Sequence, residues 1–184
     1  TGVTQIKDGL FQNNVAVPNA GSMASGGGLW AQTAVVISGT QFIGNRSEGK
    51  GWSNTGGGGL YANNSAVLTN TQFVSNTANY GNGGGAYIIN RATVVGGRFQ
   101  GNNADAVQSV SERQGGGLYV SPGPTLITGT LVTRNRAWAG SGAAIALRPP
   151  KTTIRTTSDE GGRELRSSDQ PPAPAHLSCW KWII

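Results

Sequence analysis

Residues 57–78, GGGLYANNSAVLTNTQFVSNTA, contain both of the motifs that recur along this chain. One motif is a glycine triplet followed by Leu or Ala and then an aromatic residue, with copies at 26–30, 57–61, 83–87 and 115–119. The other is Phe-x-x-Asn, with copies at 11–14, 42–45, 73–76 and 99–102 and a variant, VTRN, at 132–135. The two motifs alternate at a nearly constant distance, which is typical of a repeat protein.

One repeat unit predicts three short strands separated by turns. Asn63, Asn64 and Ser65 form a turn cluster. Leu68 and Phe73 are an odd number of residues apart, so a bend between them is needed to bring both side chains to the same face. The strands predicted on this basis are residues 60–62, 66–68 and 71–74.

Stacked units of this kind predict an all-β fold, a right-handed parallel β-helix of about five coils. The hand follows the usual rule for parallel connections. Equivalent residues then form columns along the stack, since neighbouring strands lie about 4.8 Å apart. We expect a buried column of Phe11, Phe42, Phe73 and Phe99, and a hydrogen-bonded amide ladder of Asn14, Asn45, Asn76, Asn102 and Asn135.

The glycine triplets and the variable segments before them mark one corner of each coil. Glycine permits a positive φ and a close approach of backbones where the chain enters the next coil. Residues 47–56, 79–82 and 105–114 differ in length between coils. Insertions at one corner of a solenoid line one face, which is often the binding face.

Composition and charge exclude several classes of function. The chain has a net charge of +6, and the eight basic and four acidic residues of 1–147 are scattered over the coils without a basic run, so we expect no binding to nucleic acid. Cys179 is the only cysteine, so no intrachain disulfide or cysteine metal site is possible. No long apolar run is present, so we expect no membrane span in this chain. We also expect no cofactor and no metal ion.

The repeats predict a solenoid over residues 1–147 and an irregular tail over residues 148–184. The tail is rich in proline and charged residues, which predicts disorder or an aberrant end, such as a frameshift. The alternative is a C-terminal cap in which Trp180 and Trp182 cover the last coil. The chain begins in mid-repeat without an initiator Met or a signal peptide, so we expect it to be a piece of a longer protein.

The residues needed for common catalytic mechanisms are sparse. His176 is the only histidine and lies in the tail, so triad catalysis and histidine metal sites are unsupported. Polysaccharide lyases and glycosidases need clustered carboxylates. Asp105 and Glu112 share one loop with Arg113, and a solvated loop explains them more simply than a catalytic pair. We predict no catalytic residue.

The aromatic residues are the candidate binding residues. Trp30, Tyr61, Tyr87 and Tyr119 occupy the same repeat position beside inward Leu or Ala, so we expect their rings to point outward and stack. Such a column serves either as structural stacking or as a platform for a ligand. Trp52 lies in the longer segment 47–56, where no packing role is evident, and is the foremost candidate for a contact residue.

The alternation of Gly-Gly-[Leu/Ala]-[aromatic/Ile] with Phe-x-x-Asn resembles the repeats of the polymorphic outer membrane proteins. The resemblance covers roughly residues 1–147 and rests on 27–30, 42–45, 58–61, 73–76, 84–87, 99–102 and 116–119. It implies an autotransporter passenger that is secreted or displayed on the cell surface and adheres to surface glycans or to proteins of a host or neighbouring cell. We therefore expect a non-enzymatic adhesive or structural segment outside the cell. The alternative is a carbohydrate-active β-helix enzyme whose catalytic residues lie largely outside this chain.

Overall fold

The computed structural model describes residues 2–19, 24–49, 55–105, 114–138, 142–147, 152–155, 157–158 and 164–165. All regular structure in these ranges is β-strand. Successive coils pair in parallel and in register, so that each long sheet runs the length of the stack. The predicted β-helix is confirmed, with four complete coils and a partial coil at each end.

Each complete coil has four strands rather than the three predicted, and we number the sheets I to IV in the order in which a coil enters them. Sheet I contains Leu29–Ala31, Leu60–Ala62, Ala86–Ile88, Leu118–Val120 and Ile145–Leu147. Sheet II contains Val3–Lys7, Ala34–Ser38, Ala66–Thr69, Ala92–Val95, Thr125–Thr128 and Thr152–Arg155. Sheet III contains Leu10–Gln12, Gln41–Ile43, Gln72–Val74, Arg98–Gln100, Leu131–Thr133, Thr157–Ser158 and Glu164–Leu165.

Sheet IV lies where the sequence of each unit predicts a turn, as at residues 75–77. It contains Val15–Ala16, Arg46–Glu48, Thr77–Asn79, Asn103–Asp105 and Arg136–Ala137. A separate two-stranded sheet pairs Thr55–Gly56 with Gly81–Asn82. The prediction was wrong here because Ser75 alone makes the bend, with a φ of 55°. Asn76 then occupies the corner, and Thr77 already belongs to the next strand.

Two bends in each complete coil, and in the N-terminal partial coil, use residues in the left-handed region of φ. Between sheets II and III the residues with positive φ are Asp8, Gly39, Asn70, the pair Gly96 and Gly97, and Gly129. Between sheets III and IV they are Asn13, Gly44, Ser75, Gly101 and Arg134. Glycine adopts this conformation without steric cost, and Asn and Asp tolerate it better than other residues. The bend predicted between Leu68 and Phe73 is therefore confirmed at Asn70.

The predicted phenylalanine column is confirmed at the centre of the stack. The rings of Phe11, Phe42, Phe73 and Phe99 lie 4.7–4.8 Å apart between centroids, with interplanar angles of 3–8°. Phe42 and Phe73 are completely buried. The stacking distance equals the strand spacing, so the hydrogen-bond ladders of sheet III and the ring stack reinforce the same register.

The predicted asparagine ladder is also confirmed, and its interior members Asn45, Asn76 and Asn102 follow the same rule. The side-chain oxygen Oδ1 of Asn76 accepts from the backbone N–H of Asn45 at 2.9 Å and from its Nδ2 at 3.0 Å. Nδ2 of Asn76 donates to the carbonyl of Phe42 at 2.8 Å and to Oδ1 of Asn102 at 3.0 Å. Asn45, Asn76, Asn102 and Asn135 thus each satisfy corner backbone groups in the preceding coil that burial would otherwise leave unpaired.

The glycine triplets pack directly against the two columns, which explains why the two motifs alternate. A Cβ built on Gly58 would lie 2.4 Å from the carbonyl carbon and oxygen of Thr77. A Cβ on Gly59 would lie 3.0 Å from the ring of Phe73 and 3.2 Å from the amide of Asn76. The first glycine, Gly57, has a φ of +66°. Both predicted roles of the triplet, positive φ and close approach, are therefore present.

Replacing Gly58 by Ala is expected to lower the free energy of unfolding by an amount at or above the top of the usual overpacking range of about 1–3 kcal/mol. The obstructing atoms belong to the backbone and cannot rotate away. Gly9→Ala is the control, because the nearest atoms to its Cβ are two side-chain methyls at 3.3 and 3.4 Å. Urea unfolding of both variants checks this, and equal losses would contradict it.

Part of the predicted tail continues the stack. Thr152–Arg155 pairs in parallel with Thr125–Thr128. Ser158 pairs with Leu131, and Glu164–Leu165 adds an antiparallel strand at that edge. Sheets II and III thus extend beyond Leu147, the last residue of the predicted solenoid. Trp180 and Trp182, on which the cap hypothesis depends, lie outside the described residues.

Candidate functional site

The predicted aromatic column lies on the outer face of sheet I. In Leu60–Ala62 the side chains of Leu60 and Ala62 are buried in the core, and Tyr61 between them faces outward and is half-buried. Tyr87 is paired in register with Tyr61 on one side and with Tyr119 on the other. Trp30 is 53% exposed, whereas Tyr119 is only 3% exposed. The four residues therefore share a face but differ widely in access to solvent.

The three tyrosines pack edge to face. The ring centroids of Tyr61 and Tyr87 are 5.1 Å apart at 71°, and those of Tyr87 and Tyr119 are 4.7 Å apart at 88°. Tyr87 also lies over Gly56, where a Cβ would come within 2.0 Å of its ring. This alternation gives a favourable aromatic packing but no continuous flat surface. A ligand role for this column stays a prediction, as does that of Trp52, which lies outside the described residues.

The hydroxyl of Tyr61 is expected to ionise above the usual pH range of a tyrosine, because burial raises its pKa above 10.0. The folded state then resists deprotonation, so stability is retained below about pH 10 and falls as the pH rises through the folded-state pKa. The pH titration of phenolate absorbance, compared between the native chain and Tyr61→Phe, checks this. A difference signal that titrates at or below pH 10 would contradict it.

A second outward face, on sheet IV, carries much of the charge of the described coils. The strands of this sheet turn one small residue each inward, and the column consists of Ala16, Ser47, Ala78, Ala104 and Ala137. Its three interior members are completely buried and its two end members partly buried. The residues on either side of this column point outward. One outward column is Val15, Arg46, Thr77, Asn103 and Arg136, and the other contains Glu48, Asn79 and Asp105.

Trp138 extends the second of these columns. Its backbone N–H donates to the carbonyl of Ala104 at 2.9 Å, which places it beside Asp105. Its indole is 46% exposed, and the guanidinium of Arg136 lies 5.1 Å from the ring centroid in a cation–π contact. Trp138 is one of the aromatic residues that the sequence indicates as candidate platforms for sugars, although it lies outside both motifs. Its position three residues after the variant VTRN copy is the signal that assigns it to this column.

The polar groups of this face are held in place by one another. Arg46 and Glu48 form an ion pair with 2.6 Å between Nη2 and Oε1. Nδ2 of Asn103 donates to Oδ2 of Asp105 at 3.4 Å. Such local pairing fixes side-chain rotamers at an exposed surface, although each pair contributes little to stability there. The hydrogen-bond donors and acceptors on this face are therefore held in defined orientations.

The same face adjoins the corner where coil length varies. Successive asparagines of the ladder are 31, 31, 26 and 33 residues apart. Most of this variation falls between the end of a sheet IV strand and the next glycine triplet, as the sequence predicted. Residues 50–54 and 106–113 of these segments lie outside the described residues, and so do Glu112 and Arg113 of the acidic loop.

Within the described ranges, no cluster of three or more His, Cys, Asp and Glu side chains is arranged to hold a metal ion. None of the described segments forms an apolar helix of the length needed to cross a bilayer.

Comparison of the chain with protein-family models, with curated proteins and with solved structures finds no match. The resemblance to the polymorphic outer membrane protein repeats therefore stays a prediction that rests on the two motifs.

Proposed function

We propose that this chain is a non-enzymatic binding segment of an extracellular or cell-surface protein, and that it adheres to surface glycans or to proteins of a host or neighbouring cell. The observation that carries the proposal is a contrast between the inside and the outside of the solenoid. Inside, equivalent positions are occupied by the same residue type in coil after coil, as in the Phe and Asn columns. On the outer face of sheet IV, equivalent positions are occupied by different residue types in adjacent coils.

That contrast separates residues needed for folding from residues free to serve recognition. Sheet II offers a comparison, since one of its outward columns, from Gln5 through Val36, Val67, Thr93 and Leu126, contains no charged residue and no aromatic residue. Sheet IV instead displays two arginines, two carboxylates, two asparagines and a tryptophan within one surface. Arg, Trp and polar groups of this kind are those that binding surfaces use as anchors and specific contacts.

Binding of the purified chain to a glycan array and to intact cells tests this proposal. The expected result is saturable binding without any change in the covalent structure of the glycan. A chain that adheres to neither glycans nor cells would overturn the proposal. An appearance of cleavage products from a bound glycan would overturn its non-enzymatic part.

One observation favours the alternative of a carbohydrate-active enzyme. Glu48 and Asp105 lie in one outward column, two coils apart, with Asn79 between them. Strands about 4.7–4.9 Å apart place their Cα atoms about 9–10 Å from each other. Inverting glycosidases hold their two carboxyl groups, not the Cα atoms, roughly 6.5–9.5 Å apart, so the comparison concerns only the scale of the column. Incubation with pectin, alginate and neutral glucans, followed by analysis of reducing ends and unsaturated products, tests this alternative, and Asp105→Asn would abolish any genuine turnover.

A further inference from the structure

We infer that the outer face of sheet IV binds a neutral polysaccharide that runs along the axis of the solenoid. One sugar ring stacks on Trp138, and the following sugars hydrogen-bond to the column of Asp105, Asn79 and Glu48. This inference rests on the proposed function and narrows it to one class of ligand and one site.

The column has the dimensions of an extended groove for an oligosaccharide. Glu48, Asn79 and Asp105 are in register in adjacent strands, and Trp138 follows in the next coil. Three steps of about 4.7–4.9 Å give a row of roughly 14 Å. A row of that length exceeds a single sugar and matches a short run of linked sugars, whose hydroxyl groups recur along the chain.

The chemistry of the row fits sugar hydroxyls and sugar ring faces. Carboxylates accept hydrogen bonds from vicinal hydroxyls in a bidentate manner, and carboxamides both accept and donate. Trp138 remains 46% exposed even though Arg136 lies over its ring. An exposed indole beside hydrogen-bonding groups offers an apolar surface to the C–H face of a sugar, with polar partners next to it.

The charges of the face favour a neutral ligand over an acidic one. Arg46 is paired with Glu48 at 2.6 Å, so neither offers an uncompensated charge. Arg136 and Asp105 lie in adjacent coils on the same face and carry opposite charges. An acidic polysaccharide would meet two carboxylates in the column that we assign to its hydroxyl contacts, and like charges disfavour that approach.

A protein partner fits this face less well. Strand addition requires a free sheet edge, whereas the interior strands of sheet IV, such as Thr77–Asn79, are paired on both sides. The face also presents one aromatic anchor rather than the cluster of buried apolar anchors that protein interfaces use.

The test measures binding of cellohexaose, mannohexaose, chitohexaose and hexagalacturonic acid to the chain by isothermal titration calorimetry. At least one neutral hexasaccharide is expected to bind, more tightly than its disaccharide and more tightly than hexagalacturonic acid. Trp138→Ala should weaken that binding at least tenfold. Leu126→Ala is the matched control, because Leu126 is also an exposed apolar residue but lies on the outer face of sheet II, and it should leave the affinity unchanged. Asp105→Ala provides a second variant should Trp138→Ala fail to fold, as judged by its circular dichroism and melting.

Failure of the site and failure of the proposed function give different results. Neutral binding that is lost in Trp30→Ala and kept in Trp138→Ala would overturn the site while the proposed function stands. Tighter binding of hexagalacturonic acid would overturn the neutral class. No binding to any of the four oligosaccharides by a chain that still adheres to cells would overturn this inference alone, whereas loss of all adhesion would overturn both.

Discussion

Phe73→Asp is expected to abolish folding of the chain. Phe73 is completely buried, and its ring is stacked between Phe42 at 4.8 Å and Phe99 at 4.7 Å. Truncating a buried Phe costs about 3–5 kcal/mol. Leaving an unpaired carboxylate in the same space costs several kcal/mol more. The sum is comparable with the whole stability of a typical domain, about 5–15 kcal/mol.

Far-UV circular dichroism and thermal melting check this prediction. Phe73→Leu and Val67→Asp are the two controls, and both should fold. The first keeps an apolar side chain in the column, and the second places the same carboxylate on the outer face of sheet II, where Val67 is 37% exposed. An unchanged spectrum and melting temperature for Phe73→Asp would mean that the column is not the core of the stack.

The interior of this fold is predictable from sequence because the residue types that form it recur at a regular spacing. Phe73 and Asn76 each contact their own kind in the coils above and below. A residue type that must match its neighbours along a column recurs at a fixed place in every repeat. The glycine triplets recur for the same reason, since Gly59 packs on the ring of Phe73 and on the amide of Asn76.

Sheet IV was missed because its strands carry no such signal. Each strand turns only one side chain inward, and that residue is small, as with Ala78 and Ala104. Three residues with a single inward alanine show neither the alternation nor the bulky apolar content by which a strand is recognised. The space is small because the backbone of the glycine triplet packs there, a contact visible only in three dimensions.

The burial of Tyr119 also lies beyond sequence reasoning. Its repeat position correctly indicates the outer face of sheet I, as for Tyr61 and Tyr87. Yet its exposed fraction is 3%, far below that of Trp30 at the other end of the column. A repeat position determines the direction of a side chain, whereas neighbouring coils and loops determine what covers it. Repeat position therefore predicts which residues form the core better than it predicts which outward residues are accessible to a ligand.

Replacing Asn76, a member of the asparagine ladder, is expected to cause the second large loss of stability. Replacing Asn76 by Leu removes the four side-chain hydrogen bonds that it makes to Asn45, Phe42 and Asn102. The backbone N–H of Asn45 and the carbonyl of Phe42 are then buried without these partners. Each such group costs about 1–3 kcal/mol, so Asn76→Leu should lower the free energy of unfolding by about 2–6 kcal/mol. Asn63→Leu is the control, because the side chain of Asn63 donates its hydrogen bond to the exposed side chain of Gln32, and its backbone bond to Ala31 is kept in the variant.

Asn76→Asp is expected to make the free energy of unfolding depend on pH. The amide Nδ2 of Asn76 faces two acceptors, the carbonyl of Phe42 at 2.8 Å and Oδ1 of Asn102 at 3.0 Å. A carboxylate in its place would meet these acceptors with no proton to donate, in a site that is completely buried. Both effects raise the folded-state pKa of the introduced carboxyl above the value of about 3.9 for an unfolded Asp.

The sign of the pH effect follows from that shift. Below about pH 3.9 the introduced carboxyl is protonated in both states and donates one hydrogen bond, so Asn76→Asp should be most stable there. As the pH rises, the unfolded chain ionises while the folded chain retains its proton, and stability relative to the native chain falls by up to about 1.4 kcal/mol per pH unit. Asn76→Leu has no titrating group and should show a constant deficit. Urea unfolding of the three proteins between pH 3.5 and 7 checks this, and a deficit of Asn76→Asp that does not grow with pH would show that the ladder does not exclude a carboxylate.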